Sequence, residues 1–330
     1  MKLGVVNYET WGFFNEIFAE FQSRYDTTVH KRRTLKLPFI DQPVPLERVS
    51  SSLQRFMQAN DVVFFEWASS HLAIASQLPK SCRIVTRLHR YEMYGFAEQI
   101  NWDNVDEIIL VSAAKEAEFL EKFPAQAGKT HVIGASVDLR KFEFLERHYS
   151  GHLGTLCHIG PRKRVYELIL DTAPVLKSHN LKLFVAGGAS AWHEDYMRAI
   201  RSLIKMLDVE DHVILEGHVD NPETWYGNID VFISHSYSEG LQVAPMEAMA
   251  MGCYCVSHRW EGAEELVAQE NTYLTASELS SLLRHFHEAS DDERIRLRHE
   301  SRAFAMRNFD IVKTVESVCA VVDRAAARSG

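Results

Sequence analysis

A chain of 330 residues, 46% hydrophobic and 25% charged, has the length and apolar content for two buried cores of roughly 150 residues each. Its net charge of -9 is uneven: residues 1–150 hold 18 Lys and Arg against 19 Asp and Glu, whereas residues 151–330 hold 18 against 26, which argues against broad nucleic-acid binding. No apolar run approaches the roughly 18 residues of a membrane span, the start of the chain has no signal-peptide pattern, and the five cysteines form no C-x-x-C pair, so a protein of the cytoplasm is expected.

Short apolar runs alternate with helical patterns, which predicts βα units and parallel sheets. Strands are expected at Lys2–Asn7, Asp61–Phe65, Arg83–Thr86, Glu107–Val111 and His131–Ile133, with helices such as Gly12–Ser23 and Ala114–Phe123 between them. A basic run, His30 to Lys36, fits an anionic acceptor, a membrane surface or a solvated loop. A charged stretch, Asp138–Tyr149, reads as a linker, and the βα pattern then restarts. The second half offers strands at Gly154–Ile159, Leu181–Ala186, His212–Glu216, Val231–Ser234 and Tyr254–His258, and helices at Tyr166–Lys177 and His193–Leu207. The last helix, near Ile311–Arg328, carries an apolar stripe through Val315, Val318, Val322 and Ala325. The fold class expected is α/β, with two doubly wound Rossmann-like domains at 1–150 and 151–308 and a terminal helix at 309–330 packing back on the first domain. Open sheets of this kind bind ligands beyond the carboxyl ends of their strands, so post-strand residues are the candidates for chemistry.

The richest such segment is Glu239-Gly240-Leu241-Gln242-Val243-Ala244-Pro245-Met246-Glu247, preceded by Ser236. Two carboxylates eight positions apart flank a strand-to-helix turn. Pro245 suits the first turn of a helix, which places Glu247 in that turn, and Gly252 suits its end. A partner for the helix dipole explains Glu247 alone but not the whole constellation. Ser236-x-x-Glu239-Gly240 followed by Glu247-Ala248-Met249-Ala250-x-Gly252 resembles the E-x7-E signature of family 4 glycosyltransferases, which are retaining enzymes of the two-domain GT-B fold whose domains face each other across a cleft. Val185–Gly188, Val213–Val219, Glu261–Glu265 and Val132–Asp138 resemble further family segments in the family's order.

The resemblance implies roles. The second glutamate, Glu247, would accept hydrogen bonds from the nucleotide ribose, and the first, Glu239, would meet hydroxyls of the donor sugar. Backbone N–H groups of Gly240, Leu241 and Gln242 would support the sugar and diphosphate, since a helix start offers unpaired donors to anions. The family places an Arg and a Lys after the first strand of this domain; Lys163 matches the Lys, while His158 stands where the Arg belongs, so Arg162 or Arg164 is expected to supply that charge. His89, after the strand Arg83–Thr86, matches a family histidine near the reacting carbon. The expected catalytic set is therefore His89, Lys163 and Glu239, and the expected donor-binding set is His158, Arg162, Arg164, Gly240, Leu241, Gln242 and Glu247. Base recognition is expected near Gly217–Asn221. Trp11, Phe13 and Phe14 fit either an acceptor platform or core, and Glu66-Trp67 is a post-strand pair of the same kind.

The chain has no D-x-D pair, so clamping of the diphosphate by Lys and Arg, with no metal and no other cofactor, is expected. His148 with His152, and His285 with His287, lack the ligands that would complete a zinc site. The function expected is transfer of a hexose-type sugar from a UDP- or GDP-sugar to a carbohydrate or lipid-linked hydroxyl acceptor, in surface glycan, polysaccharide or glycolipid synthesis, with peripheral contact at the inner face of a membrane and no nucleic acid as partner. The alternatives are a glycosidase using Glu239 and Glu247 as its carboxyl pair, and a silent module that binds a nucleotide sugar without turning it over.

Overall fold

The computed structural model describes residues 1–31 and 46–328. Most of the basic run, from Arg32 to Lys36, lies outside the described residues; His30 within it is buried against Tyr8 and the Ser52 hydroxyl. The chain divides into two compact units, one of residues 1–135 with the terminal helix and one of residues 136–310.

In the first unit β1 (Lys2–Val6), α1 (Asn15–Arg24), β2 (Asp26–Val29), α2 (Leu46–Gln58), β3 (Val62–Phe65), α3 (Ser70–Ala75), β4 (Arg83–Leu88), α4 (Arg90–Gly95), β5 (Glu107–Leu110), α5 (Ala113–Lys122) and β6 (Thr130–Val132) follow in order. The strands form one parallel sheet in the order β2-β1-β3-β4-β5-β6. β3 is Val-Val-Phe-Phe and fully buried, the run expected of a strand covered on both faces. β2 has no such signal: Asp-Thr-Thr-Val is mostly polar because it is an edge strand, and pairing with β1 rather than composition makes it a strand.

The second unit contains β7 (His152–Leu156), α6 (Val165–His179), β8 (Lys182–Ala186), α7 (Glu194–Met206), β9 (Val213–Gly217), α8 (Pro222–Tyr226), β10 (Val231–Ser234), α9 (Val243–Ala250), β11 (Tyr254–His258), β12 (Thr272–Tyr273), α10 (Ala276–Glu288) and α11 (Asp291–Asn308). Its parallel sheet runs β12-β11-β10-β7-β8-β9. The final helix α12 (Ile311–Ala327) belongs to the first unit, where Val318, Cys319, Val321, Val322 and Ala325 join the core of Leu3, Val5, Phe14, Phe21 and Phe64.

Both orders reverse direction once. In the second unit β7, β8 and β9 spread to one side and β10, β11 and β12 to the other, so the reversal lies between β7 and β10. In the first unit it lies between β1 and β3. Crevices at such reversals, beyond the carboxyl ends of the strands, are where open α/β sheets hold ligands.

The stretch Asp138–Tyr149, a linker by composition, is strapped to the second unit. Arg298 of α11 donates to the carbonyls of Gly252, Arg147 and Leu145 at 2.8, 2.9 and 2.6 Å, and Arg302 donates to those of Phe142 and Ala250 at 2.6 Å each. Backbone carbonyls that a solvated linker would leave to water are thus satisfied by arginines of α11.

Candidate functional site

The reversal in the second unit places the turns after β7 and β10 side by side. After β7 the chain makes a single 3-10 turn, Pro161–Lys163, and enters α6 through Arg164, whose φ of 52° and ψ of 38° lie in the left-handed region. After β10 it runs through His235–Leu241 into α9, with Gln242 as the residue before the helix. The Gln242 side chain pins this loop to its own strand: its carbonyl oxygen accepts from the Ser234 hydroxyl at 2.7 Å and its amide donates to the Ser236 oxygen at 3.0 Å. Gln242, read from sequence as a backbone donor, therefore also works through its side chain.

Glu239 sits where the two turns meet. Its carboxyl is 7% exposed, and Oε1 takes Lys163 Nζ at 2.7 Å together with Arg162 Nη1. Arg162 also donates to the Ser238 carbonyl at 3.0 Å, so its guanidinium is fixed on the loop it faces. Burial alone would raise the Glu239 carboxyl; the adjacent Lys163 and Arg162 outweigh it and hold the group at about 2, so it is an anion at any physiological pH. One carboxylate against two cations leaves local positive charge at the mouth of β7. The backbone N–H groups of Gly240, Leu241 and Gln242 donate to no protein acceptor among the described residues.

Glu247 lies in the second turn of α9, not the first, because the helix begins at Val243 and Pro245 is already its third residue. Its Oε2 accepts from the Tyr226 hydroxyl at 2.8 Å. Desolvation pushes this carboxyl up to about 7, partly countered by Tyr226. The two glutamates are thus electrostatic opposites, one locked in an ion pair and one poised at neutrality. Tyr226, at the end of α8, carried no sequence signal beyond being an aromatic in an amphipathic segment.

His158 is exposed, and with Gly160, Arg162, Lys163, Ser190 and His193 it lines a cavity of about 250 Å³ beyond β7 and β8. His193, read only as a helix start, is held at the wall by the Ser190 hydroxyl at 3.1 Å. Arg164 is half-buried behind this surface, its positive charge felt by His258 and Tyr273. Gly187 makes the close approach of the chain leaving β8 to that leaving β7 possible: its φ is +117°, and a Cβ there would stand 1.8 Å from the Cys157 carbonyl oxygen. Gly217, with φ of +74°, opens the loop expected to read the base.

His89 belongs to the first unit, at the residue before α4, apart in the chain from every other candidate. Its ring stacks on Trp67, with centroids 4.1 Å apart, and its Nε2 lies 3.5 Å from Glu66 Oε1. Of the aromatics after β1, Phe14 is core, fully buried and stacked on Phe64, whereas Phe13 is 44% exposed. Among the described residues no cluster of three or more His, Cys, Asp or Glu has the arrangement to hold a metal ion. Likewise no helix among them is long and apolar enough to cross a membrane. Cys82, Cys253, Cys255 and Cys319 are buried free thiols, and Cys157 is half-buried.

Residues 147–291 match the family model of glycosyl transferases group 1. A capsular polysaccharide biosynthesis glycosyltransferase, CapM of Staphylococcus aureus, is 25% identical over 202 residues, 56% of this chain and 51% of that one. The poly(glycerol-phosphate) alpha-glucosyltransferase of Bacillus subtilis (strain 168) is 27% identical over 193 residues, 54% of this chain and 27% of that one. The chain thus spans about half the length, or less, of these curated relatives. Among solved structures, Anabaena Alr3699/HepE in complex with UDP and glucose superposes with a TM-score of 0.79 at 19% identity, covering 98% of this chain and 99% of that one. Sucrose-phosphate synthase from Thermosynechococcus elongatus superposes with a TM-score of 0.73 at 15% identity, covering 99% and 100%. This chain, with its two six-stranded parallel sheets, shares the GT-B fold with these neighbours.

Proposed function

We propose, from a chain whose residues 147–291 carry a group 1 glycosyl transferase domain, that the protein moves a hexose-type sugar from a nucleoside diphosphate to a hydroxyl acceptor with retention of configuration. The observation that carries this reading is the Arg162–Glu239–Lys163 cluster at the sheet reversal. A leaving diphosphate needs fixed cations, and Lys163 and Arg162 stand there already oriented by the carboxylate they share. Glu239, kept anionic, accepts hydrogen bonds from sugar hydroxyls. The unpaired N–H groups of Gly240, Leu241 and Gln242 meet the phosphate oxygens. Glu247 takes the ribose hydroxyls.

Among the described residues no side chain of this site is arranged as a covalent nucleophile for the sugar. Glu239 is the carboxylate nearest to that role, and two cations occupy it. The reading is therefore a front-face transfer: the departing phosphate oxygen takes the acceptor proton while Lys163 and Arg162 stabilise the developing charge. HepE binds UDP and UDP-glucose, which makes a UDP-hexose the donor to try first. Relatives named for capsular polysaccharide and poly(glycerol-phosphate) glycosylation favour an acceptor in a surface glycan or related polymer. Diphosphate clamping by Lys163 and Arg162 is read as metal-independent.

Replacing Lys163 by Ala is expected to lower kcat by roughly 10²–10³, the usual cost of one charge-stabilising donor, with the loss unchanged by added divalent metal. Unaltered turnover in K163A would sink the clamping role. The split between Glu239 at about 2 and Glu247 at about 7 is also what an acid/base pair of a glycosidase would show. That second reading requires hydrolysis of an aryl glycoside without nucleotide, and the ion-paired state of Glu239 predicts that none will be measured.

A further inference from the structure

The Tyr226 ring occupies a place that a phenylalanine would fill. It is fully buried, edge-on to Trp225 with centroids 5.4 Å apart and tilted against Phe232 at 5.9 Å. A hydroxyl carried into such surroundings costs free energy unless it finds an acceptor. The acceptor is Glu247 Oε2, at 2.8 Å, on the helix that follows β10. Burial and the neighbouring carboxyl hold the phenol well above the ordinary tyrosine range, so the bond keeps its donor at any working pH. A carboxylate has about four lone-pair sites; the phenol takes one on Oε2 and leaves the rest to hydroxyls of a ligand.

The phenol is itself seated by the strap Asp138–Tyr149, which lies within the second unit. Phe142 of the strap is buried and meets the Tyr226 ring edge-on, with centroids 6.1 Å apart and planes at 66°. Arg302 of α11 donates to the Phe142 carbonyl and, through the same nitrogen, to the carbonyl of Ala250, the last residue of α9. Lys141 Nζ stands 2.8 Å from Glu223 Oε1 in the first turn of α8, three residues before Tyr226. The contacts therefore close on themselves: strap to α8, α8 to Glu247, Glu247 along α9 to Ala250, and Ala250 through Arg302 back to the strap. A side chain held on such a ring has its torsions chosen before a ligand arrives.

We infer that Tyr226 is a positioning residue for Glu247: its phenol fixes the carboxyl in the rotamer that meets the ribose of the donor nucleotide, and Phe142 keeps the phenol in register. A free glutamate side chain samples several rotamers and must be ordered at the moment of binding, whereas this one is ordered in advance. The inference rests on Glu247 taking ribose hydroxyls, and the test keeps the two claims apart.

The readout is the preference for UDP over 2′,3′-dideoxy-UDP, taken as the ratio of their dissociation constants in calorimetry. Both ligands carry the same base and diphosphate, so the ratio isolates the hydroxyls that Glu247 meets. Tyr226→Phe removes the phenol oxygen and keeps the ring. It is expected to lower the preference about fivefold while affinity for the dideoxy ligand stays within about twofold of wild type. A tyrosine that served packing alone would weaken both ligands alike, and an unchanged preference in Y226F overturns the proposal. Should Y226F fail to fold, Phe142→Leu carries the same test: it leaves the phenol in place but loosens its seat, with an expected loss of preference of about threefold, and no loss there overturns the proposal. Glu247→Gln calibrates the scale, with an expected loss of about tenfold. An unchanged preference in E247Q, or no UDP binding by wild type, would instead withdraw the ribose role of Glu247, and the positioning with it; a loss in E247Q without one in Y226F strikes the positioning alone.

Discussion

Glu239 and Glu247 belong to one nine-residue segment, yet their surroundings give them opposite charge behaviour. For Glu247 the raised pKa has a definite sign. A carboxyl at about 4.5 when unfolded and about 7 when folded costs the native state nothing below the first value and an increasing amount between the two. Stability of the second unit from this group is therefore intact in acid and lost as the pH rises through 7. Glu247→Gln keeps an acceptor for the Tyr226 hydroxyl and cannot ionise. It is expected to match wild type near pH 4.5 and to be more stable by about 1–3 kcal/mol near pH 8 in denaturant titrations. It is also expected to weaken UDP binding by about tenfold in calorimetry, since a carboxylate accepts two ribose hydroxyls and an amide only one. Stability bought this way at the expense of binding marks a site residue. The pair was visible in sequence because its spacing is local. The partners that set its chemistry, Arg162, Lys163 and Tyr226, arrive from other turns, and only two of the three were legible, through the basic run Arg162–Arg164.

At the level of elements, strands buried on both faces were legible from their apolar runs, as in β3 and β10, whereas β2 and the two-residue β12 exist only because a neighbour pairs with them. The turns carry the site, and one glycine decides the geometry of two of them. Gly187 ends β8 in a conformation that L side chains avoid, against the Cys157 carbonyl. Gly187→Ala must move that carbonyl or part the ends of β7 and β8, and either shift displaces the turn Pro161–Lys163 from Glu239. The expected cost is about 3 kcal/mol or more in stability, with nucleotide affinity falling in the fraction that stays folded. Gly188, where an added Cβ meets nothing within 4 Å, is the control: Gly188→Ala is expected to leave affinity nearly unchanged, and equal damage from both variants would contradict the steric account.

At the scale of the whole molecule, sequence continuity and structural membership part company at α12. The helix follows the second unit in the chain, but its apolar face completes the core of the first: Val318, Cys319, Val321, Val322 and Ala325 are at most 5% exposed among residues from β1, α1 and β3. The stripe Val315, Val318, Val322 and Ala325 was legible as amphipathic periodicity, and the sequence already led to the expectation that this helix packs back on the first domain; the individual side chains that receive it were not legible, because nothing local encodes contacts some three hundred residues away. Tyr25 and Arg24 add bonds from the other side, to Asp323 at 2.8 Å and Glu316 at 2.7 Å. Burying five aliphatic or small side chains at about 1–2 kcal/mol each is worth roughly 5–10 kcal/mol, comparable to the whole stability of a typical domain. A chain ending at Asp310 is therefore expected to lose the first unit and keep the second. Hydrogen exchange should show β1, β3 and β4 unprotected while β7, β8 and β10 stay protected, and UDP should still bind the second unit although turnover is gone. Protection of β3 in the truncated chain would show that the first unit closes its core without the helix.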